Sequence, residues 1–323
     1  MSKEADEVGR RAARKAAKRP RSEAKPSEAW APAKAGSRAK AAARTRAQVS
    51  RSEPKASEDH RVGEREGPAR YAFGDSERAA QRLALVARVF EPASEEFLAA
   101  SGRRGGALAV DLGCGPGHTT ELLARATASE RCVGLDASPA FVEAARLRAP
   151  AGCEFLCHDA LAAPYPCGRA ATIYARFLVS HLADPDSAIG LFASQLAPRG
   201  RLLLDEVEWI RSDGETFQRY LALVEAVLAS QGQCLFVGPS VDAIAARDPS
   251  ARANRVRELA VNPRDAAGMF SLNWETLREH AAVAARTTAS ERDALAEALA
   301  ALRDGDAPAA PITWGLRQVE FEV

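Results

Sequence analysis

The sequence of 323 residues lacks the features that mark membrane, secreted and metal-binding proteins. No apolar run approaches the roughly 20 residues that a membrane-spanning helix needs, and the N-terminus has no apolar segment of a secretory signal. The six cysteines include no Cys-x-x-Cys pair, which argues against a zinc ribbon or a redox dithiol. We therefore expect a soluble cytoplasmic protein with reduced cysteines, no membrane partner and no bound metal.

The net charge of +1 is unevenly distributed. Residues 1–60 hold 16 Lys and Arg against 8 Asp and Glu, while the remaining 263 residues hold 28 against 35. The basic part is rich in Ala, Ser and Pro and poor in large apolar side chains, so residues 1–66 are predicted to be a disordered tail. Either the tail is a solvated extension, or it is an electrostatic arm for nucleic acid or a localisation signal around "KRPR", Lys18 to Arg21. The oligomeric state is not predictable.

The rest of the chain, residues 67–323, alternates apolar strand-like segments with amphipathic helical ones, most regularly in the core 105–210. Seven segments read as strands, the last two being "RVRELAV" and "WGLRQVEFEV". The pattern predicts an α/β fold, with a doubly wound, mostly parallel seven-stranded sheet and helices on both faces. It adds a helical N-terminal cap over 71–101, broken at Pro92, and a late helical insertion over about 211–303.

A glycine-rich stretch, "VDLGCGPGHTT", follows the first strand. It could cradle a phosphate, hold another nucleotide or form a plain turn. A P-loop needs Gly-Lys-Ser/Thr, which is missing. The dinucleotide pattern needs its third glycine at position 118, where His118 stands, so a dehydrogenase is disfavoured. Asp136, at the end of the second strand, is placed to accept hydrogen bonds from both hydroxyls of a ribose.

The segments "VDLGCGPG", "GLDAS", "HDA" and "LAPRGRLLL" resemble, in order and spacing, the motifs of class I S-adenosylmethionine-dependent methyltransferases. The resemblance covers about residues 105–210 and implies the Rossmann-like methyltransferase fold, with S-adenosyl-L-methionine as cofactor. It places the ribose at Asp136 and the adenine beside Ala137, with the adenine amino group donating to Asp159 next to Ala160. The residues that it places along the cofactor at the first strand are Asp111, Gly113, Gly115 and Gly117.

The segment "YAFGDSERAAQRL" resembles the N-terminal cap of bacterial small-molecule methyltransferases. That likeness implies that Tyr71 and Arg82 reach over the cofactor, the arginine pairing with its carboxylate. Arg78 is the competing choice. Arg176, at the end of the fourth strand, is a further candidate for contact with the cofactor.

Three residues are candidates for catalysis where the fourth and fifth strands end. His181 has an ordinary pKa near neutrality and suits a general base. Glu206 and Glu208 alternate along a strand, so the period of two places both on one face, where one of them could contact the substrate. Four more residues are candidates for the wall of the site: Trp209, Phe236, Asn273 and Trp274.

The sequence thus predicts an enzyme that transfers a methyl group to a small-molecule acceptor, with the acceptor atom left open. One alternative is an RNA or protein methyltransferase that uses the basic tail. Against it, the Asn/Asp-Pro-Pro-Tyr/Phe signature of nucleic-acid N-methylation is replaced by "YARFL", and the acidic body repels phosphate. The other alternative is a non-catalytic cofactor-binding protein with the same fold.

Overall fold

The computed structural model describes residues 74–101 and 104–323. All of these residues belong to a single compact unit. The tail over 1–66, its boundary with the domain and the placement of Tyr71 lie outside the described residues and stay predictions.

The described residues form a seven-stranded sheet in the order β3-β2-β1-β4-β5-β7-β6. Strands β1 to β5 are parallel, and β7 is antiparallel to both β5 and β6. The expected doubly wound, mostly parallel seven-stranded sheet is therefore confirmed. The strands are β1 (Ala109–Leu112), β2 (Cys132–Asp136), β3 (Cys153–Cys157), β4 (Ala170–Arg176), β5 (Leu196–Ser212), β6 (Ala251–Val261) and β7 (Ile312–Glu322).

Nine α-helices occur in the described part of the chain, and they include both the expected N-terminal cap and the late helical insertion. Buried residues of α4 and α6 pack on one face of the sheet, while α1 and α2 pack on the other. The helices are α1 (Glu77–Ala100), α2 (His118–Thr127), α3 (Pro139–Arg148), α4 (Pro185–Ser194), α5 (Glu215–Ser230), α6 (Gly238–Arg247), α7 (Pro263–Leu277), α8 (Ala281–Ala284) and α9 (Ala289–Asp304).

The prediction that Pro92 breaks the first helix is wrong, because α1 runs through it without interruption. An interior proline costs about 3 kcal/mol. Around it, however, Phe90, Ala93 and Phe97 are each only 2% exposed, and the Ser94 hydroxyl donates to Asp205 on β5 at 2.8 Å. Burial of this face outweighs the local cost of the proline.

The strand order reverses direction between β1 and β4. From β1 the chain winds to β2 and β3 on one side, and from β4 to β5 on the other. In open α/β sheets, ligands bind at the carboxyl ends of the strands beside such a switch point. The glycine-rich stretch connects β1 to α2 at this point.

Gly117 is required at the start of α2 by both its backbone and its neighbours. Its φ is +92°, and a Cβ added there would stand 2.8 Å from Phe155 Cζ. We expect Gly117→Ala to lower the free energy of unfolding by about 1–3 kcal/mol. The matched change Gly190→Ala, in the exposed interior of α4 with no atom within 4 Å of the added Cβ, should raise it by up to about 1 kcal/mol. Urea unfolding measures both, and equal effects would contradict the argument.

Candidate cofactor and acceptor site

A cavity of about 710 Å³ opens along the carboxyl edge of the sheet, within the usual size of ligand sites. One part, the β1–β3 half, is lined by the segments after β1, β2 and β3. The β5–β7 half is covered by α1, α5 and α7 and is largely apolar. Its lining residues are Val86, Phe90, Val207, Ile210, Tyr220, Leu221, Val224, Gln233, Leu235, Met269, Phe270, Asn273 and Trp314.

The glycine-rich stretch forms the floor of the β1–β3 half. Gly113, Gly115 and Gly117 all have positive φ values, and Gly113 N and Cys114 N donate to the Leu135 carbonyl at 2.8 and 3.1 Å. A Cβ on Gly113 would meet Leu178 Cδ1 at 3.0 Å. Gly113, Cys114 and Gly115 line the cavity, so a ligand there can approach the backbone of this stretch closely.

Asp111 lies beneath this stretch and does not line the cavity. Its Oδ2 accepts hydrogen bonds from the hydroxyls of Thr119 and Thr120 at 2.6 and 2.7 Å. Burial raises the pKa of Asp111 to about 6, although both hydroxyls and Arg176 oppose the shift. The other oxygen, Oδ1, is buried and has no hydrogen-bond partner in the described structure. The position of Asp111 therefore supports a role in holding the first turn of α2, and its contact with a ligand stays a prediction.

Asp136 ends β2 and lines the cavity. Its Oδ2 accepts from Gly115 N and its Oδ1 from Ser138 N, both at 2.8 Å. Burial raises the pKa of Asp136, and these two amides oppose the rise. Two amide bonds leave lone pairs on both oxygens for further donors. The geometry thus allows one carboxylate to bridge the glycine stretch and a ligand that carries two hydroxyls.

The expected adenine-side residues also meet at this end of the cavity. Ala137, Asp159 and Ala160 all line it. Asp159 Oδ1 accepts from Leu161 N at 2.9 Å, which fixes the carboxylate at the end of β3. The residues predicted to hold the ribose and the adenine thus share one cavity wall with the glycine-rich stretch.

Two arginines lie where the halves meet. Arg82, on α1, is only 8% exposed and lines the cavity. Arg176, at the end of β4, lines it too, and its Nη1 donates to Ser94 Oγ at 3.2 Å. Arg78, the competing choice, does not line the cavity and forms an exposed ion pair with Glu275. Of the two arginines weighed for the carboxylate of the cofactor, Arg82 is thus the one whose position is compatible with that expectation.

His181 ends the short 3-10 turn Val179–His181 after β4 and lines the cavity. Burial, together with the Arg82 guanidinium, lowers the pKa of His181 to about 4, while Gln233 acts in the opposite direction. The imidazole is therefore neutral at pH 7. A neutral imidazole can accept a hydrogen bond from an acceptor hydroxyl.

Glu206 does not line the cavity. It is fully buried, and its Oε1 accepts from Leu178 N and Val179 N, both at 2.8 Å. It anchors the turn that carries His181. The expectation of substrate contact is therefore corrected to a positioning role, because β5 turns this side chain toward the backbone after β4.

Because of Glu206, we also expect the free energy of unfolding to depend on pH. Burial raises the pKa of Glu206 from 4.5 to about 8, although both amides oppose it. The folded chain thus keeps a proton on Glu206 that the unfolded chain loses above pH 4.5. The contribution of this proton to the free energy of unfolding is complete below pH 4.5 and is lost as the pH rises through 8. Glu206→Gln should gain stability relative to the parent between pH 5.5 and 8.5, by about 1 kcal/mol or more. Denaturation curves at both pH values test this, and a pH-independent difference would contradict it.

Glu208 also lies outside the cavity wall. Its two oxygens accept from Arg317 Nε and Nη2, both at 2.8 Å, and Arg317 also contacts Asp242 and Asn254. A β-bulge between Val207 and Trp209 interrupts the alternation of β5, so the expected common face of Glu206 and Glu208 fails there. Glu208 is corrected to a member of an ion-pair cluster.

Of the four residues expected in the wall, only Asn273 lines the cavity. Trp274 is 1% exposed in the core, the Trp209 ring lies under the Arg211 guanidinium at 3.9 Å, and Phe236 packs against the core. Sequence reasoning missed Gln233, Tyr220 and Trp314, which come from distant elements. Helical periodicity in α5 is the one signal that could have indicated Tyr220.

Comparison with known proteins finds similarity to methyltransferases. Residues 109–200 match the model of a family described as a methyltransferase domain. A trans-aconitate 2-methyltransferase of Paracidovorax citrulli is 38% identical over 138 residues, which cover 42% of this chain and 48% of that protein. A trans-aconitate 2-methyltransferase of Klebsiella pneumoniae is 30% identical over 155 residues, which cover 48% of this chain and 56% of that protein. The chain spans about half the length of the curated relatives it matches.

Among solved structures, a putative methyltransferase from Bacillus halodurans has a TM-score of 0.48 and 13% identity, covering 70% of this chain and 96% of that one. The matched residues 109–200 contain the glycine-rich stretch and the two acids after β2 and β3, so this part of the chain is similar to a methyltransferase domain. Across residues 74–101 and 104–323, no helix is both long and apolar enough to cross a membrane, and no cluster of His, Cys, Asp or Glu suits a metal ion.

Proposed function

We propose that this chain transfers a methyl group from S-adenosylmethionine to a small-molecule acceptor. The observation that carries the proposal is one continuous cavity, with the ribose-type carboxylate Asp136 at one end and an apolar, covered half at the other. The relatives named as trans-aconitate 2-methyltransferases support a small-molecule acceptor. Free thiols at all six cysteines support a cytoplasmic location, which we also propose.

The residues present fit the cofactor. Asp136 would hold the ribose, Asp159 the adenine amino group, and Arg82 or Arg176 the carboxylate. The backbone of Gly113, Cys114 and Gly115, which lines the cavity, would face its methionine part. When bound, S-adenosylmethionine supplies a methyl group on a sulfonium centre, which is already activated toward nucleophiles.

The protein's own tasks are then alignment and exclusion of water. The helices α1, α5 and α7 cover the β5–β7 half and keep its apolar wall away from solvent. Glu206 fixes the turn after β4 through two backbone amides. That turn holds the neutral His181 at the wall, where the imidazole can accept a hydrogen bond from an acceptor hydroxyl and so orient it.

Calorimetric titration of the full chain tests the proposal, with S-adenosylmethionine, S-adenosylhomocysteine, ATP and NAD⁺ as separate ligands. We expect saturable binding of the first two, at least 100-fold tighter than binding of ATP or NAD⁺. Absence of heat with both sulfur nucleosides, or tighter binding of NAD⁺, would refute the cofactor assignment and the function with it.

A further inference from the structure

The β5–β7 half of the cavity is walled by packed aromatic rings. Phe90 and Trp314 have ring centroids 5.7 Å apart, and Phe270 lies 5.9 Å from Trp314. Tyr220 stacks on Phe270 at 4.2 Å. Flat, rigid and apolar walls of this kind favour a ligand with a flat apolar body, because burying it releases water from both surfaces.

Charge is scarce in this half. Three acids line the described cavity, namely Asp75, Asp136 and Asp159. Asp75 accepts from the Ser138 hydroxyl at 2.9 Å, so all three belong to the β1–β3 half. An amine with N–H donors would find no carboxylate there among the described residues, so the aromatic rings alone would compensate its charge.

A polycarboxylate acceptor would find too few cationic side chains in this half. The sequence contains no lysine after Lys55, and the arginines that line the cavity in the described residues are Arg82 and Arg176. Under the proposed function, one of these guanidinium groups already pairs with the carboxylate of the cofactor. A small tricarboxylate would therefore leave negative charge unpaired against an apolar wall.

Two amide side chains supply the polarity that this half does contain. Asn273 is 8% exposed and Gln233 7% exposed, and both line the cavity. Asn273 Nδ2 donates to the Tyr220 hydroxyl at 3.0 Å, which fixes the orientation of the amide. Asn273 Oδ1 and Gln233 Oε1 are buried and accept no hydrogen bond of good geometry within the described structure, although Gln233 lies close enough to His181 to raise the pKa of that imidazole. Buried carbonyl oxygens of this kind require a donor.

We infer that the β5–β7 half binds a neutral acceptor with a flat, mostly apolar ring body and hydroxyl groups that donate to Asn273 and Gln233. This inference rests on the proposed function, because it places the acceptor beside the cofactor. It excludes polycarboxylates such as the trans-aconitate in the names of the relatives. The two amides are then specificity-determining residues, each rejecting an analogue that lacks its donor.

The test uses the full chain saturated with S-adenosylhomocysteine and three probes: 2,7-dihydroxynaphthalene, 2,7-dimethoxynaphthalene and trans-aconitate. The two naphthalenes share a ring body and differ in their donors. Titrations followed by calorimetry should show the dihydroxy compound binding at least tenfold more tightly than either of the others. Binding of trans-aconitate with the highest affinity, or equal binding of the two naphthalenes, would overturn the inference.

Variants link the discrimination to the two amides. Asn273→Leu and Gln233→Leu should each weaken the dihydroxy compound at least fivefold and leave the dimethoxy compound within twofold. Gln231→Leu, outside the cavity wall on the end of α5, should change neither affinity. Retained affinity for S-adenosylhomocysteine shows that each variant is folded. Unchanged discrimination in both cavity variants would overturn the inference.

The two proposals fail separately. If S-adenosylhomocysteine does not bind to the parent chain, the proposed function is refuted and the acceptor inference falls with it. If S-adenosylhomocysteine binds and no naphthalene binds below 1 mM (about −4 kcal/mol), the proposed function stands and the acceptor inference alone is refuted.

Discussion

Replacing Asp136 with alanine should weaken the binding of S-adenosylmethionine by roughly 10- to 100-fold, which corresponds to about 1–3 kcal/mol. Two losses act in the same direction. The ribose hydroxyls lose a buried acceptor, and Gly115 N and Ser138 N lose the oxygens that they contact at 2.8 Å. The glycine-rich stretch then loses one of its ties to the end of β2, while Gly113 N and Cys114 N still donate to the Leu135 carbonyl. Calorimetry on parent and variant measures the change in affinity.

Asp248→Ala is the matched control. Asp248 Oδ1 accepts from Ser250 N at 2.8 Å, which repeats the local geometry between Asp136 and Ser138, but Asp248 does not line the cavity. The control should lose a similar small amount of stability and keep its affinity for the cofactor. An Asp136→Ala variant that is folded and binds within twofold of the parent would remove Asp136 from the ribose site.

The sheet and the β1–β3 half could be predicted because their signals are local. Each strand is a short apolar run, and each functional side chain follows its strand by a few residues, as Asp136 follows "CVGL". Parallel strands bring their carboxyl ends to one edge, so nearness in sequence to a strand end becomes nearness in space. Gly115 and Asp136, 21 residues apart, meet at 2.8 Å for this reason.

The β5–β7 half could not be predicted in the same way. Trp314 comes from β7, Gln233 from the α5–α6 connection and Tyr220 from α5, so tertiary packing alone brings them together. Glu208 shows a second limit. The period-two pattern of β5 places Glu206 and Glu208 on one face, but one bulged residue changes every later side-chain direction. Nothing in "DEVEWIR" indicates that bulge.

Glu208→Leu should lower the free energy of unfolding by about 3 kcal/mol or more without changing the affinity for S-adenosylhomocysteine. The Glu208 and Arg317 side chains are only 13% and 10% exposed, and removing one partner leaves a buried guanidinium with incomplete compensation. A catalytic or substrate-binding role predicts the opposite, namely an unchanged stability and a lost function. Urea unfolding and calorimetry on the same preparation separate the two.

The exposed pair Arg131–Glu154 provides the comparison that isolates burial. It has the same two-pronged geometry, with Arg131 Nε and Nη2 donating to Glu154 at 2.8 and 2.7 Å, but its side chains are 40% and 51% exposed. Glu154→Leu should therefore cost less than about 1 kcal/mol. If the two leucine variants lose equal stability, burial is not the source of the effect. If Glu208→Leu is as stable as the parent, the ion-pair cluster does not hold β5, β7 and α6 together, and the position of Glu208 in the bulge needs another reason.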